Sequence, residues 1–147
     1  MSKKTGLDRS PLHLLHRASQ SVADLFKREI KSDLTPRQLA VLTVIAQKEG
    51  CSQTDIVEAT GIDRSTVAEM MGRLRTKGLL DRRRSKEDAR AYVINLTNGG
   101  RRTLKNADPL AERVNEKILR ALDNRGSSFL DNLTAIAARL EDGKKET

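Results

Sequence analysis

The chain has 147 residues, 37% hydrophobic and 33% charged, with a net charge of +8. That length buries a single core; one cysteine excludes an internal disulfide framework, and no run nears the ~18 apolar residues of a membrane span. Aromatics are limited to Phe26, Tyr92 and Phe129, which excludes the stacking platforms that grip single strands or RNA.

In chain order, the polar start MSKKTGLDRS lacks the apolar heart of a signal peptide, so a reducing cytoplasm is expected. Ser10-Pro11 then supplies an N-cap and a first-turn proline. Leu15, Ala18, Val22, Leu25 and Phe26 recur at helical spacing to about Ile30. Thr35-Pro36-Arg37-Gln38 carries a capping box, and the second helix runs through Leu39, Leu42 and Ile45 until Gly50 stops it. Ser52 caps a third helix with Asp55 at its third position, and Gly61 ends it. Asp63 caps a fourth, whose apolar stripe is Val67, Met70, Met71 and Leu74, closed by Gly78.

A short helix, a glycine turn and a second helix make a helix-turn-helix. The outward face of the second helix carries Arg64, Ser65, Thr66, Glu69 and Arg73. Short polar side chains at its first turn let the backbone approach a major groove, though an ordinary surface helix would look similar.

Residues 79–84 and 91–96 then read as two strands joined by the charged turn of Ser85 to Arg90. This β-hairpin is a wing beside the recognition helix. Twelve cations stand against five acids between Gly61 and Lys105, which is the footprint of phosphate binding unless the face is merely solvated. An arginine at the wing tip suits a narrow minor groove. Asp88, two residues before Arg90, is positioned to orient its guanidinium through a bidentate pair. Thr97 caps a long helix that Pro109 should kink or interrupt near Asn106. A last helix carries Phe129, Leu130, Leu133, Ile136, Ala137 and Leu140 at core spacing. The fold expected is mainly α with one small β-hairpin, a winged helix-turn-helix over residues 35–97 within a single 147-residue domain.

The order of elements, with Asp88-x-Arg90, a strand, then Leu96-Thr97-x-x-Gly100, resembles the MarR family of winged-helix regulators. GIDRSTVAEMMGRLRTKGLL is similar to that family's recognition helix and its lead into the wing. The resemblance implies a homodimer built by residues 10–31 and 98–142 on a pseudo-palindromic double-stranded operator. It implies base contacts from Arg64, Ser65 and Thr66, and Arg90 in the minor groove. Phosphate contacts fall to Arg73, Arg84 and Lys86, with Ser52 and Thr54 at the third helix start. Arg82 and Arg83 alternate faces, so at least one of them is expected to be only solvated.

Family members also bind small anionic or phenolic effectors between the dimerisation helices and the winged helix. His13 and Arg17 share one face of the first helix, with His16 adjacent, and with the leucines they could receive a carboxylate. SPLHLLHRA, GIDRSTVAEM and EDARAYVINLT most resemble the branch controlling aromatic-acid catabolism. The effector implied is an aromatic carboxylate or its coenzyme A thioester, and the output is repression of a catabolic operon. No cofactor is implied. The alternatives are redox sensing through Cys51, whose thiol a helix dipole could acidify, and an architectural DNA-binding protein without effector. Zinc on His13, His16 and Cys51 would be a thin ligand set. No catalytic constellation is recognisable, so an enzyme is not expected.

Overall fold

The computed structural model describes residues 6–144; the first residues of the polar N-terminal run lie outside them. After a 3-10 turn (Gly6–Arg9), the elements are α1 (Pro11–Glu29), α2 (Pro36–Gln47), α3 (Gln53–Thr60) and α4 (Arg64–Thr76). There follow β1 (Leu80–Arg84), β2 (Tyr92–Leu96), α5 (Asn98–Arg120), a second 3-10 turn (Asp123–Arg125) and α6 (Gly126–Asp142). The fold is mainly helical with one antiparallel hairpin, as the sequence implies.

Helix starts follow the caps. The Thr35 hydroxyl accepts the Gln38 amide at 3.1 Å while the Gln38 side chain accepts the Thr35 amide at 3.1 Å. Ser52 and Asp55 make the same reciprocal pair at 3.0 and 2.9 Å. Each such cap is worth about 1 kcal/mol against alanine. Gly61 takes φ 69°, the left-handed conformation that ends α3 and turns the chain toward α4.

α2 ends before Gly50. Residues after it are drawn into the sheet instead: Cys51 bridges Ile94, whose amide donates to the Cys51 carbonyl at 2.9 Å.

The main core lies under α2, α3, α4 and the hairpin. Val41, Leu42, Ile45, Ile56, Val67, Leu74 and Ile94 are fully buried there. A smaller cluster of Phe26, Ile30 and Val114 joins α1 to α5, where Lys117 also pairs with Glu29.

The interruption expected near Pro109 does not occur; α5 runs unbroken for 23 residues. Proline removes one amide, and the Lys105 carbonyl it leaves lies on an exposed turn where water can satisfy it. Leu104, Ala107, Leu110 and Val114 pack on either side and hold the helix.

The foot of the wing is pinned to α5. Thr97 donates its hydroxyl to the Gly78 carbonyl at 2.5 Å and its amide to Leu79 at 3.1 Å, and its Oγ1 caps α5 through Gly100 at 3.0 Å. A Cβ on Gly100 would stand 1.9 Å from the Leu79 carbonyl oxygen, so only glycine permits this approach. That contact is the physical content of the Leu96-Thr97-x-x-Gly100 pattern.

α6 has no buried residue; Leu130, Ile136 and Leu140 are exposed, as are Leu12, Leu14 and Leu15 on α1. No helix among the described residues is long and apolar enough to cross a membrane.

Candidate nucleic-acid interface

α3 and α4 meet at the Gly61 turn, with Val67, Met70, Met71 and Leu74 anchoring α4 to the core. That leaves Arg64, Ser65, Glu69 and Arg73 exposed and Thr66 half-buried. The Asp63 carboxylate gathers the first turn. Its Oδ1 accepts the Thr66 amide at 2.9 Å and the Ser65 hydroxyl at 2.8 Å, and its Oδ2 accepts the Thr66 hydroxyl at 2.7 Å. Those donors, the Thr66 hydroxyl foremost, hold the Asp63 carboxyl far below the usual carboxylate range.

Arg64 turns back to α3, where Nη2 donates to the Thr54 hydroxyl at 2.8 Å, and Gln53 Nε2 donates to the Arg64 carbonyl at 3.3 Å. A groove between α3, α4 and the wing is lined by Ser52, Thr54, Arg64, Arg82, Arg90 and Tyr92, with Ile94 among its apolar residues. Four of the residues singled out from sequence thus share one concavity: Ser52, Thr54, Arg64 and Arg90.

β1 and β2 pair Leu80 with Leu96, Arg82 with Ile94 and Arg84 with Tyr92, so these six share one face. The Arg82 guanidinium lies 3.7 Å from the Tyr92 ring centroid, and that of Arg84 lies 5.5 Å away. Arg82 is therefore fixed toward the groove, and it was missed as a site residue. Alternation could have put Arg82 and Arg84 on one face of β1, but setting Arg82 over Tyr92 takes the register of the hairpin. Arg83, on the other face, pairs weakly with Asp81 at 3.7 Å.

Arg84 donates to the Ala89 carbonyl at 2.9 Å across the wing tip. Asp88 orients the wing differently from expectation. Its carboxylate accepts the backbone amide of Arg90 at 2.9 Å and forms no ion pair with the guanidinium among the described residues. An Asx-turn two residues long closes more readily than a contact spanning the whole arginine side chain. Arg90 and Lys86 extend from an exposed tip. Arg73 Nη2 is held by Glu69 at 2.5 Å, one helical turn back, which leaves the other N–H donors of the guanidinium for a phosphate.

The residues proposed for an effector are not gathered in one chain. His13 is half-buried, His16 and Arg17 are exposed, and none of the three lines the two cavities that α5 forms with α1 and α2. One of about 620 Å³ lies between the end of α1 and α5, with Arg28, Lys31 and Arg113 around Ile30, Leu34 and Leu110. Another runs between α2 and α5, bordered by Leu39, Val44, Ala111, Asp108 and Glu112.

Cys51 is fully buried, and burial with the nearby Asp55 pushes its thiol up, opposite to the acidification expected from the α3 dipole. Its amide donates to the Lys48 carbonyl at 3.1 Å, its carbonyl accepts the Ile94 amide at 2.9 Å, and the residue lies in the main apolar core. No group of three or more His, Cys, Asp or Glu among the described residues could hold a metal ion.

A family model described as MarR family matches residues 32–91. Over 107 residues the chain is 34% identical to the transcriptional regulator HosA of Escherichia coli, spanning 73% of this chain and 78% of HosA. The PcaV transcriptional regulator of Streptomyces coelicolor, solved with its natural ligand, superposes with a TM-score of 0.86 at 31% identity, covering 92% of this chain and 97% of PcaV. The transcriptional repressor CouR, solved on a 23-mer DNA duplex, gives 0.81 at 31% identity, covering 94% and 99%. CouR bound to p-coumaroyl-CoA gives 0.79 at 30% identity, covering 95% and 99%. The chain belongs to the MarR family of winged-helix transcriptional regulators and is a DNA-binding regulator, not an enzyme.

Proposed function

We propose that two copies of this chain form a cytoplasmic dimer that represses an aromatic-acid catabolic operon and leaves its operator on capturing an aromatic carboxylate or a coenzyme A thioester. The observation that carries the DNA part is the groove in which Ser52, Thr54, Arg64, Arg82 and Arg90 converge between recognition helix and wing. Ser65 and Thr66 enter the major groove, Arg90 the minor groove, and Arg73, Arg84 and Lys86 meet phosphates. Residues 35–97 form the DNA-binding unit.

Residues 10–31 and 98–142 form the dimer. No residue of α6 is fully buried within its own chain, and its exposed Leu130, Ile136 and Leu140, with the leucines of α1, make an apolar surface that solvent does not favour. A two-fold dimer presents two recognition helices to a pseudo-palindrome.

The effector reading draws on the PcaV and CouR complexes and on two places in this chain. The cavity between α1 and α5 offers an apolar floor with Arg28, Lys31 and Arg113 at its edge, which suits an anionic aromatic molecule. His13, His16 and Arg17 complete a site only if a second copy brings them to a crevice. Binding there changes the spacing of the recognition helices, a coupling free energy between two sites.

Fluorescence anisotropy tests the whole reading. Labelled duplex from this gene's upstream region is bound at fixed near-physiological salt, then titrated with aromatic acids and their thioesters. Release by one compound and not its relatives is the expected result. Equal binding of a scrambled duplex would instead favour an architectural protein. Loss of release in Arg113→Ala locates the effector in the α1–α5 cavity, and loss in Arg17→Ala locates it on α1.

A further inference from the structure

The hydroxyls at the recognition surface are not interchangeable donors. A serine or threonine hydroxyl has one proton and two lone pairs, whereas an ionised carboxylate only accepts. Asp63 carries no proton near neutrality, so the 2.8 and 2.7 Å contacts oblige Ser65 and Thr66 each to spend their single proton on it. Both then present lone pairs alone. Thr54 is the reverse case: its oxygen accepts from Arg64 at 2.8 Å, and its own proton has no acceptor among the described residues.

DNA offers matching chemistry. Phosphate oxygens accept only, as do guanine O6 and N7, adenine N7 and thymine O4. The major-groove donors are the adenine N6 and cytosine N4 amino groups.

We propose that Asp63 sets the hydrogen-bond polarity of the recognition helix, so that Ser65 and Thr66 read base amino groups and cannot serve phosphates, while Thr54 donates to a phosphate. Asp63 is a positioning residue for specificity and touches no base itself. This rests on the assignment of α4 to the major groove made above.

The test uses a duplex selected by the full-length protein from a randomised pool at fixed salt. In that duplex each adenine is replaced in turn by purine, which lacks the N6 amino group, and each cytosine by pyrimidin-2-one, which lacks N4. Separate duplexes carry 7-deazapurines, which lack N7, or single methylphosphonates. Wild type is compared with Ser65→Ala and Thr66→Val. Deleting one or two amino groups should weaken wild type about tenfold, and Ser65→Ala or Thr66→Val should suffer no added loss there. Coupling of either residue to N7 or to a methylphosphonate would overturn the proposal.

Asp63→Asn keeps a good N-cap but substitutes a donor for one carboxylate oxygen, which turns one hydroxyl outward. Its selected duplex should differ at the coupled position, and an unchanged selection would also overturn the proposal. Failure to select any duplex would bring down the DNA-binding assignment itself, a result distinct from either.

Discussion

Substituting Gly100 tests whether the wing is held at its foot by backbone contact. Alanine there puts its Cβ 1.9 Å from the Leu79 carbonyl oxygen and 2.9 Å from the carbonyl carbon. Carbon contacts normally begin near ~3.5 Å, so the strand must retreat by roughly 1.5 Å. Retreat strains the 3.1 Å bond from the Thr97 amide to Leu79 and the 2.5 Å bond from the Thr97 hydroxyl to Gly78. Overpacking at about 1–3 kcal/mol and a weakened cap at about 1 kcal/mol are offset by at most about 1 kcal/mol of helix propensity. The expected net loss is about 1–3 kcal/mol.

Two other helical glycines supply controls. A Cβ on Gly72 meets nothing within 4 Å, so Gly72→Ala should stabilise by about 0.5–1 kcal/mol. On Gly99 it stands 3.3 Å from the Gly78 carbonyl oxygen, a strain that should roughly cancel the propensity gain. The assay is urea unfolding by far-ultraviolet circular dichroism at one protein concentration for all variants, because association shifts apparent stability. Gly100→Ala within about 0.5 kcal/mol of wild type, or less destabilised than Gly99→Ala, would refute the reasoning.

Arg90→Ala should weaken specific binding and lower the slope of log affinity against log salt by about one, read by anisotropy from low to high salt. Leu130→Lys with Ile136→Lys should turn the proposed dimer to monomer in sedimentation velocity, because each leucine or isoleucine left unburied forfeits about 1.5–3 kcal/mol. Cys51 should react with a disulfide reagent only as fast as the native core opens, and peroxide should leave operator affinity unchanged; rapid native-state labelling would revive the redox alternative. Asp63, Asp55 and Asp33 all have carboxyls held below their ordinary values, first by Thr66, the Ser52 amide and Lys77 respectively. The stability they contribute is complete above the unfolded carboxylate value of about 4 and is lost as pH falls through the folded values. Melting temperature should therefore fall as pH drops below about 4, and Asp63→Asn should flatten that fall.

Local chemistry made the helix-turn-helix legible. Thr35, Ser52, Asp63 and Thr97 each carry the hydroxyl or carboxylate that accepts an amide three residues on, so four helix starts could be read before any packing was known. What escaped was decided by contacts between distant residues. Pro109 read as a kink or an interruption, and the interruption is absent because packing on both sides, which the sequence does not show, outweighs one lost amide bond. Arg82 read as partly redundant charge because its place over Tyr92 depends on strand register. Cys51 read as a residue ahead of a helix, yet its pairing with Ile94 buries it. Asp88 was recognised as an orienting acid, but its partner is a main-chain amide and not a guanidinium.

The bonds from Thr97 to Gly78 and Leu79 also decide how movement passes through the molecule. Through those bonds the wing is tied to the first turn of α5, so the foot of the wing is carried along by a tilt of that helix. At ~1.5 Å per residue its 23 residues span about 35 Å. A tilt of about 5° at the Arg120 end then amounts to about 3 Å over that length, the size of a hydrogen bond. A rearrangement where α5 meets α1 that tilted the helix by this amount would move the wing by a distance of that order.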